Sequence, residues 1–499
     1  MEVTDPRDLF AAQAVTEQFP GRVYGRAVVR IDRQPACYIL TSAQNNTPVH
    51  TRLWDNLLAY AEHKRADIFV ARFAYNTNAF AAREAKPGAS PNERYAFAPE
   101  IQPFVRDDRV ALAPSLHWCG EVNILPTADR PLTGFENYTG RASGIYPHAK
   151  QVMESIATPP GTSGVKLNYT TGTVTLRNYI QRKAGLKAEP FHAYGALIVE
   201  VDSGGRWFVR QLRATEDGSF QDLDVVVRDG LVHTGQPVHA VQWGDTHVAQ
   251  LDPIVRKTNW GQGGILDTLR PRYQFQHDVL DFEAQNHHDV KNPHAVFSKH
   301  VRGRTSVERE LEELAAFLST EQHRDWCQSI VVGSNHDAAL LRWLREADFR
   351  NDPANAQTYL KLQYVVYCAM AAQAEDFHLL RSVMRGMGVP DEVRFLHDDD
   401  SFVICRAAGG IECGLHGHAG VNGSRGSPRQ FAKLGRRVNT GHTHSASIIG
   451  DCFTAGTSSI LRPSYARGPS SWTHSHIVTY DNGCRTIITL RDGFWRAVS

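Results

Sequence analysis

Five short motifs supply carboxylate, amide and imidazole groups in the order Asp-x-His, Asp, Asn-His-Asp, His, Gly-His-x-His. The first, Gly244-Asp245-Thr246-His247, follows the apolar run VHAVQW. If that strand continues, Asp245 and His247 project to one face and can share an ion, and a carboxylate with an imidazole suits manganese, iron or zinc. The second, His277-Asp278-Val279-Leu280-Asp281, offers an acidic group at a strand end that could bridge two ions, with Asp278 as first choice and Asp281 in reserve. In Gly333-Ser334-Asn335-His336-Asp337 the Asn335 amide oxygen can ligate while His336 stays free to handle a proton. His416 lies in the turn Gly414-Leu415-His416-Gly417-His418, and Gly441-His442-Thr443-His444 closes the series with two imidazoles at what reads as a strand end.

These motifs resemble, in order, the signature of the calcineurin-like metallophosphoesterases, over roughly residues 238–459. The resemblance implies that Asp245, His247 and His444 hold one divalent ion, and Asn335, His416 and His442 a second. It implies that Asp278 bridges the two and that His336 assists the leaving oxygen or stabilises the transition state, while a metal-activated hydroxide attacks phosphorus in line. Paired ions lower the pKa of a shared water and neutralise charge on phosphoryl oxygens, so phosphoester hydrolysis follows chemically. His277 stands where the family has Gly, and Ser334 sits in a turn that is normally tighter, so the choice between Asp278 and Asp281 stays open. The segments YIQRKAG, HDVLDFEAQNHHDVKNPH, GHTHSASI and SSWTHSHIVTY further resemble the pre-early host-DNA-degrading nucleases of certain tailed bacteriophages, also labelled phage transcriptional regulators. That resemblance implies DNA as substrate and the infected bacterial cytoplasm as location. Of the two divalent ions, manganese comes first, with magnesium, iron or zinc open.

Singly, each motif is common by chance; their order after strand-like runs decides the reading. Arg425, Arg429, Lys433, Arg436 and Arg437 place positive charge between the fourth and fifth motifs, on a loop and a short helix that Ser427 could cap, with Pro428 at its first position. Arg425 and Arg429 are the candidate substrate contacts there, although a solvated helix face reads the same way for Lys433 and Arg437. His288, in Asn286-His287-His288-Asp289, is a third candidate, in what could equally be a polar surface loop. His397-Asp398-Asp399-Asp400 reads as a solvated turn, and His418 as a support to the ligands. Arg177, Arg182, Lys183 and Lys187 with Tyr179 interleaved suggest a second surface for tracking a polymer backbone and stacking bases.

The elements that must position these groups divide at about residue 235. Six of the 23 histidines precede position 234 and 17 follow from His239. Residues 1–235 read as an α+β domain: a strand at Cys37–Leu40, a helix from about Thr51 to Arg65 and a strand at Ile68–Val70 form a β-α-β unit. A Pro-, Gly-, Asn- and Ser-rich stretch, mostly loop with short elements, follows from Pro87 to Pro160, then a β-rich segment with a Ser-Gly-Gly turn. This half would position the polymer or mediate assembly, which leaves a homo-oligomer open. Residues 236–499 alternate strand and helix, as an α/β layered domain does, and the resemblance implies that this domain is a metallophosphoesterase β-sandwich flanked by helices. Its best-supported helix starts near Val307, with Thr305 and Glu308 in capping-box spacing.

The chain has 499 residues, a length that favours two domains, and a net charge of +1 that gives no general attraction for nucleic acid. The eight scattered cysteines, with no C-x-x-C pair, suit a reducing cytoplasm, and neither a signal peptide nor an apolar run of spanning length appears, so no membrane partner is expected. Two readings compete with a DNase: a phosphodiesterase or phosphatase for a small nucleotide or other phosphoester, and a DNA-binding regulator with a vestigial metal site. The second lacks a recognisable helix-turn-helix.

Overall fold

The computed structural model describes residues 14–15, 18–19, 22–23, 28–31, 35–75, 97–162, 164–286, 289–463 and 467–497. His287 and His288 lie outside the described residues. The fold is mixed α/β, assembled from several sheets.

A six-stranded sheet runs in the order Arg394–Phe395, Gln328–Val331, Tyr273–Gln276, Ala240–Gln242, Ser475–Thr479, Arg485–Thr489. Its first four strands are parallel and its last two antiparallel. Both faces are covered, because successive residues of a strand point to opposite sides. Val241, Val331, Val478 and Ile488 pack with helices that include Val307–Ala316, Ala339–Glu346 and Leu379–Gly386. Their strand neighbours Ala240 and Ile330 pack against Ile404, Ile411 and Cys413, while Ile477 and Ile487 meet Ile448 and Phe453. The result is a helix layer, a sheet and a second sheet. Helix Val307–Ala316 is capped one residue later than expected: Ser306, not Thr305, is the N-cap, and its side chain accepts the Arg309 N–H at 3.2 Å.

The second sheet has twelve strands, and Met153–Ile156 pairs antiparallel with Ser447–Ile449, so it draws strands from both sides of residue 235. The stretch expected to be mostly loop contributes Arg109–Ala113, Leu116–Cys119, Ser143–Tyr146 and Met153–Ile156 to it. Strands of four or five residues are too short for alternation to stand out against Pro and Gly. The expected β-α-β unit is present as strand Ala36–Gln44, helix Thr51–Lys64 and the parallel strand Asp67–Phe73. A hairpin of Gly195–Val201 and Trp207–Arg213 completes that four-stranded sheet. Tyr38, Leu40 and Val199 on one face pack with Trp118, Ile145 and Tyr169 of the twelve-stranded sheet, while Ile39 and Ile198 on the other cover Leu53 and Leu57 of the helix.

Candidate metal centre

The loops leaving the C-terminal ends of the parallel strands carry the motif residues to one place, where α/β sheets commonly bind ligands. The strand alternation expected for Asp245–His247 and His442–His444 is not what aims them: the strands end at Gln242 and Thr440. Instead His247, Asp278, His442 and His444 all adopt left-handed backbone, with φ of 44°, 45°, 71° and 56°. A non-glycine residue held there costs about 1–3 kcal/mol, which the surrounding bonds must offset. They are dense. The Asp245 N–H donates to the Gly456 carbonyl (3.1 Å), and its own carbonyl accepts from the Ser458 N–H (2.8 Å) and Thr457 Oγ1 (2.9 Å). The His247 N–H donates to the Asp278 carbonyl at 2.7 Å, tying the first two motifs together.

Two donor groups share Asp278. Asp245, His247, Asp278 and His444 form one, and Asp278, His416 and His442 the other, with the donor atoms of each within 4.8 Å of one another. Asp278 Oδ2 lies 3.2 Å from His416 Nε2 and 3.6 Å from His247 Nε2. His247 and His444 bring their Nε2 atoms to 3.2 Å, and His444 Nε2 is also 3.2 Å from Asp245 Oδ2. The Asp245 Oδ2 atom accepts the His442 N–H at 2.7 Å, while Oδ1 is buried without a hydrogen-bond partner among the described residues. Asn335 Oδ1 is in the same condition, next to His336, whose N–H reaches Asp278 Oδ1 at 3.4 Å. Buried acceptors without donors are costly, and converging imidazole nitrogens suit a cation, so this donor set fits a divalent metal.

Asp281 stands behind His247, with Oδ1 3.0 Å from Nδ1, so it orients that imidazole. His336 Nδ1 lies 3.2 Å from the Asp281 carbonyl oxygen, to which it can only donate, leaving Nε2 free; the side chain is 30% exposed.

Burial opposes every charge in this cluster. It would lower both His247 and His416, yet the Asp281 hydrogen bond and the Asp278 charge lift His247 to about 9, and Asp278 and Asp245 lift His416 to about 9. Asp278 is held well below the carboxylate range against its burial, chiefly by His416 and His336. Burial and the His416 charge push His442 down to about 4 and His277 to about 3, and burial with the Asp278 charge pushes Asp337 up to about 7.

Sequence reasoning passed over four residues here. His277, treated as a departure from pattern, forms a further donor group with Asp245 and His416; its adjacency to Asp278 was the available signal. The Trp472 ring lies 4.3 Å from that of His444. His476 accepts the Gly244 N–H at Nδ1 (2.9 Å) and meets Asn259 Oδ1 through Nε2 (3.0 Å), fixing the first motif's turn. A Cβ on Gly441 would collide with Asp245 Oδ1. Gly441 opens the last motif and Trp472 and His476 lie within SSWTHSHIVTY, but their roles rest on partners distant along the chain, which no local pattern shows.

The remaining candidates lie outside the donor groups. Arg425 is exposed on the loop after His418, whose carbonyl accepts the Gly426 N–H at 2.8 Å. Arg429 lines a separate cavity with Glu154. Ser427 precedes a helix of only four residues, Pro428–Phe431, and makes no side-chain capping bond. Tyr179 cannot stack bases as expected, being buried with its hydroxyl 3.0 Å from His192 Nδ1, and Arg177 pairs with Glu216, while Arg182, Lys183 and Lys187 are exposed. The His418 ring lies tilted against that of His416, centres 5.4 Å apart, and His397–Asp400 is a turn closed by the His397 N–H on Asp400 Oδ2 at 2.8 Å.

Fold and cluster together define an α/β protein with a buried aspartate–histidine centre able to hold a metal ion. The chain belongs to the family of Protein A1 of Escherichia phage T5, with which it is 42% identical over 478 residues, covering 92% of this chain and 83% of that protein. No family model matches the chain, and no solved structure gives a significant match. Among the described residues, no helix is long and apolar enough to cross a membrane.

Proposed function

We propose that the chain is a phage-encoded, metal-dependent deoxyribonuclease of calcineurin-like architecture, acting in the host bacterial cytoplasm. The observation that carries this reading is the sharing of the buried Asp278 carboxylate by two donor groups whose members follow the metallophosphoesterase order. DNA as substrate rests on the resemblance to phage host-DNA-degrading nucleases and on membership of a family that includes a phage protein.

Asp245, His247, Asp278 and His444 would hold one ion, and Asn335, His416, His442 and Asp278 the other. Bound there, two divalent ions, manganese first, would activate a water and neutralise phosphoryl charge. Asp281 fixes the His247 ring from behind, so that Nε2 faces the ligand group. The Asp281 carbonyl occupies His336 Nδ1, leaving Nε2 to hand a proton to the leaving oxygen.

The test is cleavage of linear and circular duplex DNA with manganese, with EDTA, and by Asp278→Asn. Metal-dependent degradation lost in the variant supports the nuclease, and loss of the circular form marks endonucleolytic attack. The net charge of +1 favours a small phosphoester instead. Intact DNA with turnover of an aryl phosphodiester would establish that second reading, and inactivity on both with DNA binding retained would establish a regulator.

A further inference from the structure

A cavity of about 220 Å³ lies apart from the clustered ligands, where the strand Met153–Ile156 meets Ser447–Ile449. Arg130, Lys150, Arg213, Arg429 and Lys433 line it, against two carboxylates, Asp129 and Glu154. Among the described residues, none of these five cations forms an ion pair within 4.0 Å. Lys150 is 7% exposed, and its three-donor ammonium has one contact, a long 3.5 Å to the Asp129 carbonyl; the Phe191 ring centre lies 5.5 Å away. A buried ammonium whose nearest carboxylate, Asp129, attracts it without forming an ion pair is costly, and four further cations around the same space raise that cost. Each imbalance is removed by one multivalent anion.

We infer that this cavity is an anion site for a phosphate group, built jointly by the two halves of the chain and separate from the metal centre. Arg429, Arg213 and Arg130 can offer paired N–H donors to phosphate oxygens, and Lys150 supplies a charge from the floor. Phe191 gives one apolar wall. Five residues of chain, at most about 18 Å when extended, connect His444 to Ile449 at the cavity, so a polynucleotide engaged at the metal centre can reach it. The phosphate can therefore belong to a DNA backbone or to a free nucleotide.

Binding of dAMP and of a twelve-residue oligothymidylate to EDTA-treated protein tests this without involving hydrolysis. Arg429→Gln/Lys433→Gln alters two exposed side chains and leaves the fold intact; Lys150→Met removes the floor charge. Both variants should bind at least tenfold more weakly than wild type. Weakened dAMP binding identifies a free nucleotide as the ligand. Weakening confined to the oligonucleotide, with the slope of log K against log salt reduced by about 1.4 in the double variant, identifies a backbone. Equal binding by wild type and a folded double variant, or no binding of either probe by wild type, overturns the proposal.

Discussion

Fully enclosed as it is, the Asp278 carboxylate keeps its charge only because His416, His336 and His247 surround it. Asp278→Asn removes that charge while preserving shape, so both donor groups should lose affinity together. Metal analysis of purified protein checks this: loss of one ion with full retention of a second would show that Asp278 does not bridge. His336 differs, because its Nδ1 is tied to a main-chain carbonyl and it stands partly exposed at the edge of the cluster. His336→Ala should therefore lower turnover by about 10² or more while leaving metal content unchanged. An equal fall in bound metal would make it a ligand. Asp281→Asn keeps a hydrogen-bonding group behind His247 but removes the charge that fixes the tautomer, and should weaken metal binding by about 10- to 100-fold.

Left-handed turns, rather than strand alternation, present His247, Asp278, His442 and His444, so the site depends on how each loop leaves its strand. Gly441 is the sharpest case, since any side chain would collide with Asp245 Oδ1, and the neighbouring His442 N–H is bonded to Asp245 Oδ2. Gly441→Ala should displace the Asp245 carboxylate and reduce manganese affinity with the sheets intact; calorimetric titration beside circular dichroism separates the two, and unchanged affinity would mean the loop yields freely. This is also where the sequence was legible and where it was not. Residue types in order brought out the clustered donors, because ligand chemistry restricts the choice to Asp, Asn and His. The β-α-β unit was readable from a 14-residue helix between two apolar strands. The twelve-stranded sheet was not, because pairs such as Met153 with Ile448 join strands of three or four residues almost three hundred positions apart. Nor was burial of Tyr179, whose hydroxyl partner His192 is set by tertiary packing.

Across the whole molecule, buried neutral histidines tie stability to pH. His148 donates from Nε2 to the Leu125 carbonyl and accepts the Lys150 N–H at Nδ1; His192 meets the Thr175 carbonyl at Nε2 and the Tyr179 hydroxyl at Nδ1. Each bond pattern fixes a neutral ring. Burial, with Lys150 for His148 and Arg177 for His192, pushes their pKa values to about 3 and about 4. Because the folded values lie below the unfolded value of about 6.5, the unfolded chain binds protons first. Their contribution is therefore complete above about pH 6.5 and is lost as pH falls toward 4. Glu200 adds to the same side: Arg210 and Lys64 hold it below the carboxylate range against its burial, so protonating it also favours unfolding. Integrating the linkage gives roughly 2 kcal/mol lost per histidine by pH 5. The urea midpoint of metal-free protein should accordingly drop steeply between pH 7 and 5. His192→Gln, which keeps a donor and an acceptor but cannot be protonated there, should flatten that slope by about half of the two histidines' share. A variant with an unaltered slope would place the acid sensitivity in another buried histidine, with His117, which burial and the Arg109 charge push down to about 4, the next group to test.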